Sequence, residues 1–125
     1  MKRATGHGGA QVRQVAETLR AWTAGPDSVT AVCCFNDLFA GLVIAAARSI
    51  GLAVPDHLSV IGVDDEPMGG FLQPTLTTVR FDFEATTAYT HALLRATLDG
   101  KPTPRPPAGE FVEIVKRESV APLVR

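Results

Sequence analysis

Two pairs of polar residues, Asn36-Asp37 and Asp64-Asp65, stand where apolar runs of the chain end. The first pair follows the run TAVCCF and the second follows LSVIGV. Carboxylates in such places can hold a metal ion, take part in acid–base catalysis or bind the hydroxyl groups of a ligand. They also start turns and cap helices. The elements that position them decide among these roles.

The two apolar runs are short and bounded by turn residues, so they predict buried strands over 30–35 and 58–63. The stretch between them predicts a helix, with Asp37 as its expected cap. Two strands joined by a helix form a parallel unit, and the carboxyl ends of parallel strands share one edge of the sheet. Both polar pairs therefore converge on the edge where open α/β sheets bind ligands.

The rest of the chain continues the alternation of helices and strands, which favours an α/β fold with a parallel sheet. The helix between the first two strands is apolar nearly all round, so we expect a partner subunit to cover its outer side. The other expected elements are a flexible arm (1–9), a helix with one apolar face (10–22), an extended segment (75–80), a helix (83–98) and a strand (110–115).

Composition excludes several classes of protein. The chain has 125 residues, 46% of them hydrophobic, which predicts a folded domain, and its net charge of -1 is not that of a nucleic-acid binder. The N-terminus lacks the apolar core of a signal peptide, and no apolar run is long enough to cross a bilayer. The adjacent Cys33 and Cys34 are expected to be small buried residues in a reducing compartment. We expect a soluble, cytoplasmic protein with no membrane partner.

Three functions compete for the carboxylates. A phosphorelay receiver would carry its acidic pair after its first strand, but Asp64-Asp65 lie in the middle of the chain. An enzyme would need a nucleophile beside a base, and no nucleophile motif or phosphate-binding loop is present. We therefore predict no catalytic residue, no metal site and no cofactor. A binding cleft fits best, with Asn36 and Asp64 as ligand residues and with Asp37 and Asp65 in structural roles.

A resemblance to a known family covers about residues 10–122. It rests on several motifs taken together, and each of them alone is weak. The chain is similar to the C-terminal part of the lac-repressor/galactose-repressor (LacI-type) family of transcription regulators. The motifs that carry the resemblance are Thr30-Ala31, Asn36-Asp37, Gly51 with Val54-Pro55, Val60-Ile61-Gly62-Val63-Asp64-Asp65, Leu76-Thr77-Thr78-Val79-Arg80 and Arg117-Glu118-Ser119.

This resemblance implies a periplasmic-binding-protein-like fold, in which an effector binds in a cleft between two subdomains. Residues 10–125 would form an incomplete C-terminal subdomain, and the segment 75–80 would be the hinge or crossover. Asn36 and Asp64 match positions that bind a sugar or nucleobase-like effector, and Phe83 matches a position that stacks on it. The chain is then an effector-binding and dimerisation portion of a repressor; the alternative is a structural dimerisation remnant with an incomplete ligand site.

The resemblance also implies a homodimer or higher oligomer. No helix-turn-helix is recognised in this sequence, so we expect no direct DNA contact from the chain, although members of the family bind operator DNA. The helix 83–98 is expected to pack on a further subdomain. The expected dimer interface combines the helix after Asn36-Asp37 with the loop after Asp64-Asp65, through Phe39, Leu42, Ala45, Phe71 and Leu72.

Overall fold

The computed structural model describes residues 7–106 and 111–122. Its described strands form one sheet in the order β1-β2-β3-β4; the first three are parallel, and β4 is antiparallel to β3. This mostly parallel sheet with helices confirms the predicted α/β fold class. The elements, in chain order, are α1 (His7–Trp22), β1 (Ala31–Cys33), α2 (Asp37–Ser49), β2 (Ser59–Val63), a 3₁₀ helix (Pro67–Phe71), β3 (Thr77–Phe81), α3 (Phe83–Leu98) and β4 (Val112–Val115).

The predicted parallel unit is present: β1 and β2 pair with Val32 opposite Val60, and α2 joins them. The third strand, β3, pairs in parallel with β2, so three carboxyl ends lie along one edge of the sheet. The segment 75–80, expected as a hinge, contributes most of β3. Its role as a hinge stays a prediction.

The hydrophobic core lies between α1, α2 and the sheet. Three alanines of α2, at positions 40, 46 and 47, have no exposed surface, and they leave room for α1 and the strands to approach the α2 backbone. Larger side chains fill the remaining space. They are Leu19 of α1, Ile44 of α2, Val60 of β2 and two residues just before strands, Leu58 and Leu76.

Several boundaries differ from the expectations. Helix α1 begins at His7, so residues 7–9 of the expected arm are helical, while residues 1–6 lie outside the described part. Glycines are tolerated there because the first turn of a helix has few intrahelical bonds to lose. Strand β1 has three residues instead of six, because its pairing with β2 ends at Cys33; the chain then bends at Phe35, which is 84% exposed. Strand β4 begins at Val112.

The two cysteines differ, and both are free thiols. Cys34 is buried as expected, and burial, with a smaller effect of Cys33, raises its pKa to about 11. Cys33 is exposed, so the expectation that it is buried was wrong. It lies on β1, which pairs with one neighbour only and forms an edge of the described sheet.

Helix α3 has the predicted bounds but lies apart from the core. None of its residues is buried, and Phe83 and Leu98 are 63% and 79% exposed. The Tyr89 hydroxyl donates to the Pro104 carbonyl over 3.4 Å, so the proline-rich segment after α3 folds back along the helix. The described structure therefore leaves much of this helix uncovered.

Candidate functional site

The three predicted ligand residues lie at the same edge of the sheet. Asn36 follows β1, Asp64 directly follows β2, and Phe83 follows β3 after one residue. Because these strands are parallel, their following residues emerge on one side, as in other open α/β sheets. The expected convergence of Asn36 and Asp64 is thus a property of the topology.

Asn36 has the helix-capping role that the sequence predicts for Asp37. Its backbone is extended, and its Oδ1 accepts a hydrogen bond from the Phe39 amide over 3.0 Å, so Asn36 is the N-cap of α2. The prediction that Asp37 is the cap was wrong, because Asp37 already belongs to the helix. The cap uses only the oxygen of Asn36, and its amide nitrogen keeps two hydrogens for a ligand.

Asp37 is fully buried and connects the start of α2 to the loop after β2. Its carboxylate accepts from the Thr78 hydroxyl over 2.6 Å and from the Glu66 amide over 2.7 Å. Gly62 makes room for it, since a Cβ there would overlap Oδ1 and lie 3.2 Å from the Asp37 Cα. A buried carboxylate therefore ties together the two segments that carry the predicted ligand residues Asn36 and Asp64.

Asp64 and Asp65 form a sharp turn at the end of β2. Both have positive φ angles, 101° and 50°, which non-glycine residues rarely adopt and which aspartate tolerates better than most. The Asp64 amide still donates to the Val79 carbonyl over 2.9 Å, as a continuation of the sheet. Its side chain is exposed and bonds to no residue of the described ranges. The carboxylate of Asp64 is thus available to a ligand.

Asp65 is held by two arginines. Its Oδ2 accepts a hydrogen bond from Arg80 Nε over 2.8 Å and lies 2.7 Å from Arg80 Nη2, and its Oδ1 accepts from Arg117 Nη2 over 2.7 Å. Partial burial by itself would raise the pKa of Asp65, but the bonds from Arg117 and Arg80 outweigh it and lower the pKa below its usual value. The sequence predicts a structural role for Asp65, and the structure adds ion pairs with two arginines to that role.

The two arginine partners of Asp65 could not be predicted from the sequence. Arg80 and Arg117 lie in motifs that carry the family resemblance, but those motifs predict no role for either side chain. Strand register brings Arg80 beside Glu113 of β4, and the segment after β4 crosses back to place Arg117 next to the same turn. Separations of 15 and 52 residues from Asp65 carry no local signal. Only the sheet order reveals these contacts.

Phe83 borders an aromatic groove of about 380 Å³ at the end of β3. Its ring lies 6.1 Å from that of Phe81, centroid to centroid. Phe111, Val112 and charged side chains complete the lining, which includes neither Asn36 nor Asp64. The structure therefore brings Phe83 to the same edge as the two polar residues without enclosing all three in one pocket.

The residues expected at a dimer interface lie on α2 and around the 3₁₀ helix. Phe39 and Phe71 are 52% and 87% exposed, whereas Leu42 and Leu72 are half-buried. An apolar groove of about 300 Å³ is lined by Phe39, Leu42 and Leu72 but by neither Ala45 nor Phe71. Ala45 is exposed on the same helix. This surface is exposed in the single chain, and its role in dimerisation stays a prediction.

The described residues 7–106 and 111–122 contain neither a metal-binding cluster nor a helix suited to cross a membrane. No cluster of three or more His, Cys, Asp or Glu side chains in these ranges is arranged to hold a metal ion. None of their helices has both the length and the apolar character required to cross a membrane.

Comparison with known proteins identifies the family. Residues 1–120 match the family described as periplasmic binding protein-like domain. This chain belongs to that family. The sequence of this chain is similar to those of HTH-type transcriptional regulators. It has 42% identity over 95 residues to MalR of Streptomyces coelicolor and 33% over 92 residues to GalR of Escherichia coli. Each match covers 74% of this chain, which spans 27% of the length of either relative.

Solved structures agree with the sequence relatives. A LacI family transcriptional regulator from Arthrobacter, in complex with lactose, aligns with a TM-score of 0.66 at 29% identity and covers 91% of this chain and 42% of that one. The Escherichia coli repressor ascG aligns with a TM-score of 0.66 at 26% identity over 91% of this chain and 40% of its own. The resemblance to the LacI-type family and its periplasmic-binding-protein-like fold is thereby confirmed.

Proposed function

We propose that this chain is the effector-binding and dimerisation portion of a LacI-type transcriptional repressor, and that its ligand is a small polar molecule of the sugar class. The observation that carries the proposal is the placement of Asn36 and Asp64 at one edge of the parallel sheet, with a ligand-available amide and carboxylate. The lactose complex of the Arthrobacter regulator supports a sugar. A nucleobase-like ligand is the alternative within the same site.

In the proposed mechanism the chain binds its effector without chemical change. The Asp64 carboxylate accepts hydrogen bonds from ligand hydroxyls, the Asn36 amide donates one, and the Phe83 ring packs on an apolar face of the ligand. A site built to bond hydroxyl groups discriminates against analogues that lack them, because its polar groups would be left unpaired. Effector binding would then alter operator binding by a DNA-binding domain, which we place outside this chain.

A thermal-shift screen tests the ligand site. The probes are lactose, D-galactose, maltose and hypoxanthine, added to the parent chain, to Asp64→Asn and to Asp56→Asn. Asp56 is a matched control because it is exposed and precedes β2, at the other end of the strand. A ligand at 100 times its dissociation constant stabilises the protein by about 2.7 kcal/mol. We expect stabilisation of the parent chain and of Asp56→Asn, and none of Asp64→Asn.

The second candidate is a structural dimerisation segment without a working ligand site. It is favoured by the exposed apolar surface around Phe39 and Phe71 and by the groove beside Phe83, which includes neither Asn36 nor Asp64. The same screen separates the two candidates, since a purely structural segment responds to no probe. Sedimentation equilibrium then tests association, and a monomer at micromolar concentration would contradict the dimerisation role in both.

A further inference from the structure

We propose that Arg117 is a positioning residue for the ligand site: it holds Asp65 and, through Asp65, the backbone turn that presents Asp64. This inference rests on the proposed role of Asp64 in ligand binding. Arg117 itself touches neither Asp64 nor Asn36 through any of its hydrogen bonds. Its effect on a ligand would therefore be indirect.

The turn needs an external hold because of its backbone conformation. Two consecutive non-glycine residues with positive φ, Asp64 and Asp65, are unfavourable for L-amino acids and persist where the surroundings determine them. The amides of Asp64, Asp65 and Glu66 are bonded to Val79, Thr78 and Asp37, which fixes the inner side of the turn. The Asp65 side chain adds further bonds to the turn, from Arg80 and from Arg117.

Arg117 is built to provide that hold. Its Nη1 donates to the Leu76 carbonyl over 2.8 Å, its Nη2 donates to Asp65 Oδ1 over 2.7 Å, and its backbone amide donates to Thr77 Oγ1 over 2.9 Å. The guanidinium is thus anchored to the start of β3 before it reaches the turn. A planar fork with several donors does this, and the single ammonium of lysine does not.

Packing around the guanidinium supports the same conclusion. The Arg117 side chain is 22% exposed, and a Cβ at the buried Gly69 would lie 3.3 Å from Nη1. The second arginine on Asp65, Arg80, is 49% exposed and shares its guanidinium with Glu113. Arg117 is therefore the more restricted of the two partners and the one that sets where the Asp65 carboxylate lies.

The test compares Arg117→Met, Arg117→Lys and the matched control Lys116→Met. Lys116 is the adjacent cation, is exposed, and forms no salt bridge within the described ranges. The first readout needs no ligand: NMR Cα shifts and amide–Hα couplings report φ at Asp64 and Asp65. We expect both residues to change or broaden in Arg117→Met, while β2 resonances and the Lys116→Met spectrum stay as in the parent chain.

The second readout is the dissociation constant of whichever probe of the lactose, galactose, maltose and hypoxanthine set binds the parent chain. We expect Arg117→Met to weaken binding about tenfold, the effect of losing about one hydrogen bond to the ligand, with partial recovery in Arg117→Lys and no change in Lys116→Met. Unchanged Asp64 and Asp65 resonances, or changes spread evenly over the sheet, would overturn the inference. Absence of binding to every probe would count against the proposed function, and the NMR comparison would still decide whether Arg117 holds the turn.

Discussion

Helices α2 and α3 begin in the same way but differ in what surrounds them. In each, a side-chain oxygen caps the first turn: Asn36 accepts from the Phe39 amide, and Asp82 accepts from the Ala85 amide. Helix α2 then buries five of its residues against α1, β2 and the 3₁₀ helix, whereas α3 buries none. The same kind of cap therefore starts both helices, and the packing of each is decided elsewhere in the fold.

The same contrast separates the two parts of the candidate site. Asn36 and Asp64 are fixed by buried contacts, because the Asp37 carboxylate joins the start of α2 to the Asp64 turn. Phe83 lies on the uncovered helix, where it is 63% exposed and contacts the Phe81 ring. The segments that carry Asn36 and Asp64 are thus held in place by contacts within this chain. The position of Phe83 depends instead on what packs against α3.

The largest effect on the free energy of unfolding is expected when a buried apolar side chain of α2 is truncated, and an exposed one of α3 serves as the comparison. Ile44→Ala in α2 removes a side chain that is 5% exposed and leaves a cavity, so we expect a loss of about 3 kcal/mol in the free energy of unfolding. Leu94→Ala in α3 removes one that is 57% exposed, with an expected change within about 0.5 kcal/mol. Urea unfolding measures both. Equal losses in the two variants would contradict the contrast between the helices.

A smaller effect is expected where the start of α2 meets the sheet. Gly62→Ala would push a methyl group into the buried Asp37 carboxylate, and overpacking of this kind costs about 2 kcal/mol. Gly70→Ala is the matched control, since a Cβ there meets no atom within 4 Å. We expect Gly62→Ala to lower the urea midpoint and Gly70→Ala to leave it nearly unchanged. If both glycines tolerate alanine, the close approach of Asp37 to β2 is not what makes this region rigid.

The smallest effect is the pH dependence of the Asp65 turn. The pKa of Asp65 is lowered in the folded chain, so its ion pairs with Arg80 and Arg117 stabilise the fold above the unfolded pKa of about 3.9. That contribution is lost as the pH falls through the lower, folded pKa. We expect the stability of the parent chain to fall more steeply than that of Asp65→Asn below about pH 4. Parallel curves for the two proteins would show that the ion pairs add no net stability.

Much of the fold could be predicted because its signals are local. The bounds of α3 matched the prediction because Asp82 can cap the helix and Gly100 follows its end. The parallel unit followed from two apolar runs with a helix between them. Strand ends were less accurate, since β1 ends at Cys33 where pairing with β2 ends, and the apolar run continues through Phe35. Apolar character marks a strand but does not mark where its partner stops.

The candidate site divides in the same way. The sequence alone determined that Asn36 and Asp64 follow neighbouring parallel strands, because apolar runs and turn residues specify the order of elements. Only the tertiary structure decided that Asp37 is buried and that Arg80 and Arg117 meet on Asp65. The physical reason is range: capping and periodicity act over a few residues, whereas contacts between residues 52 positions apart depend on strand order and register.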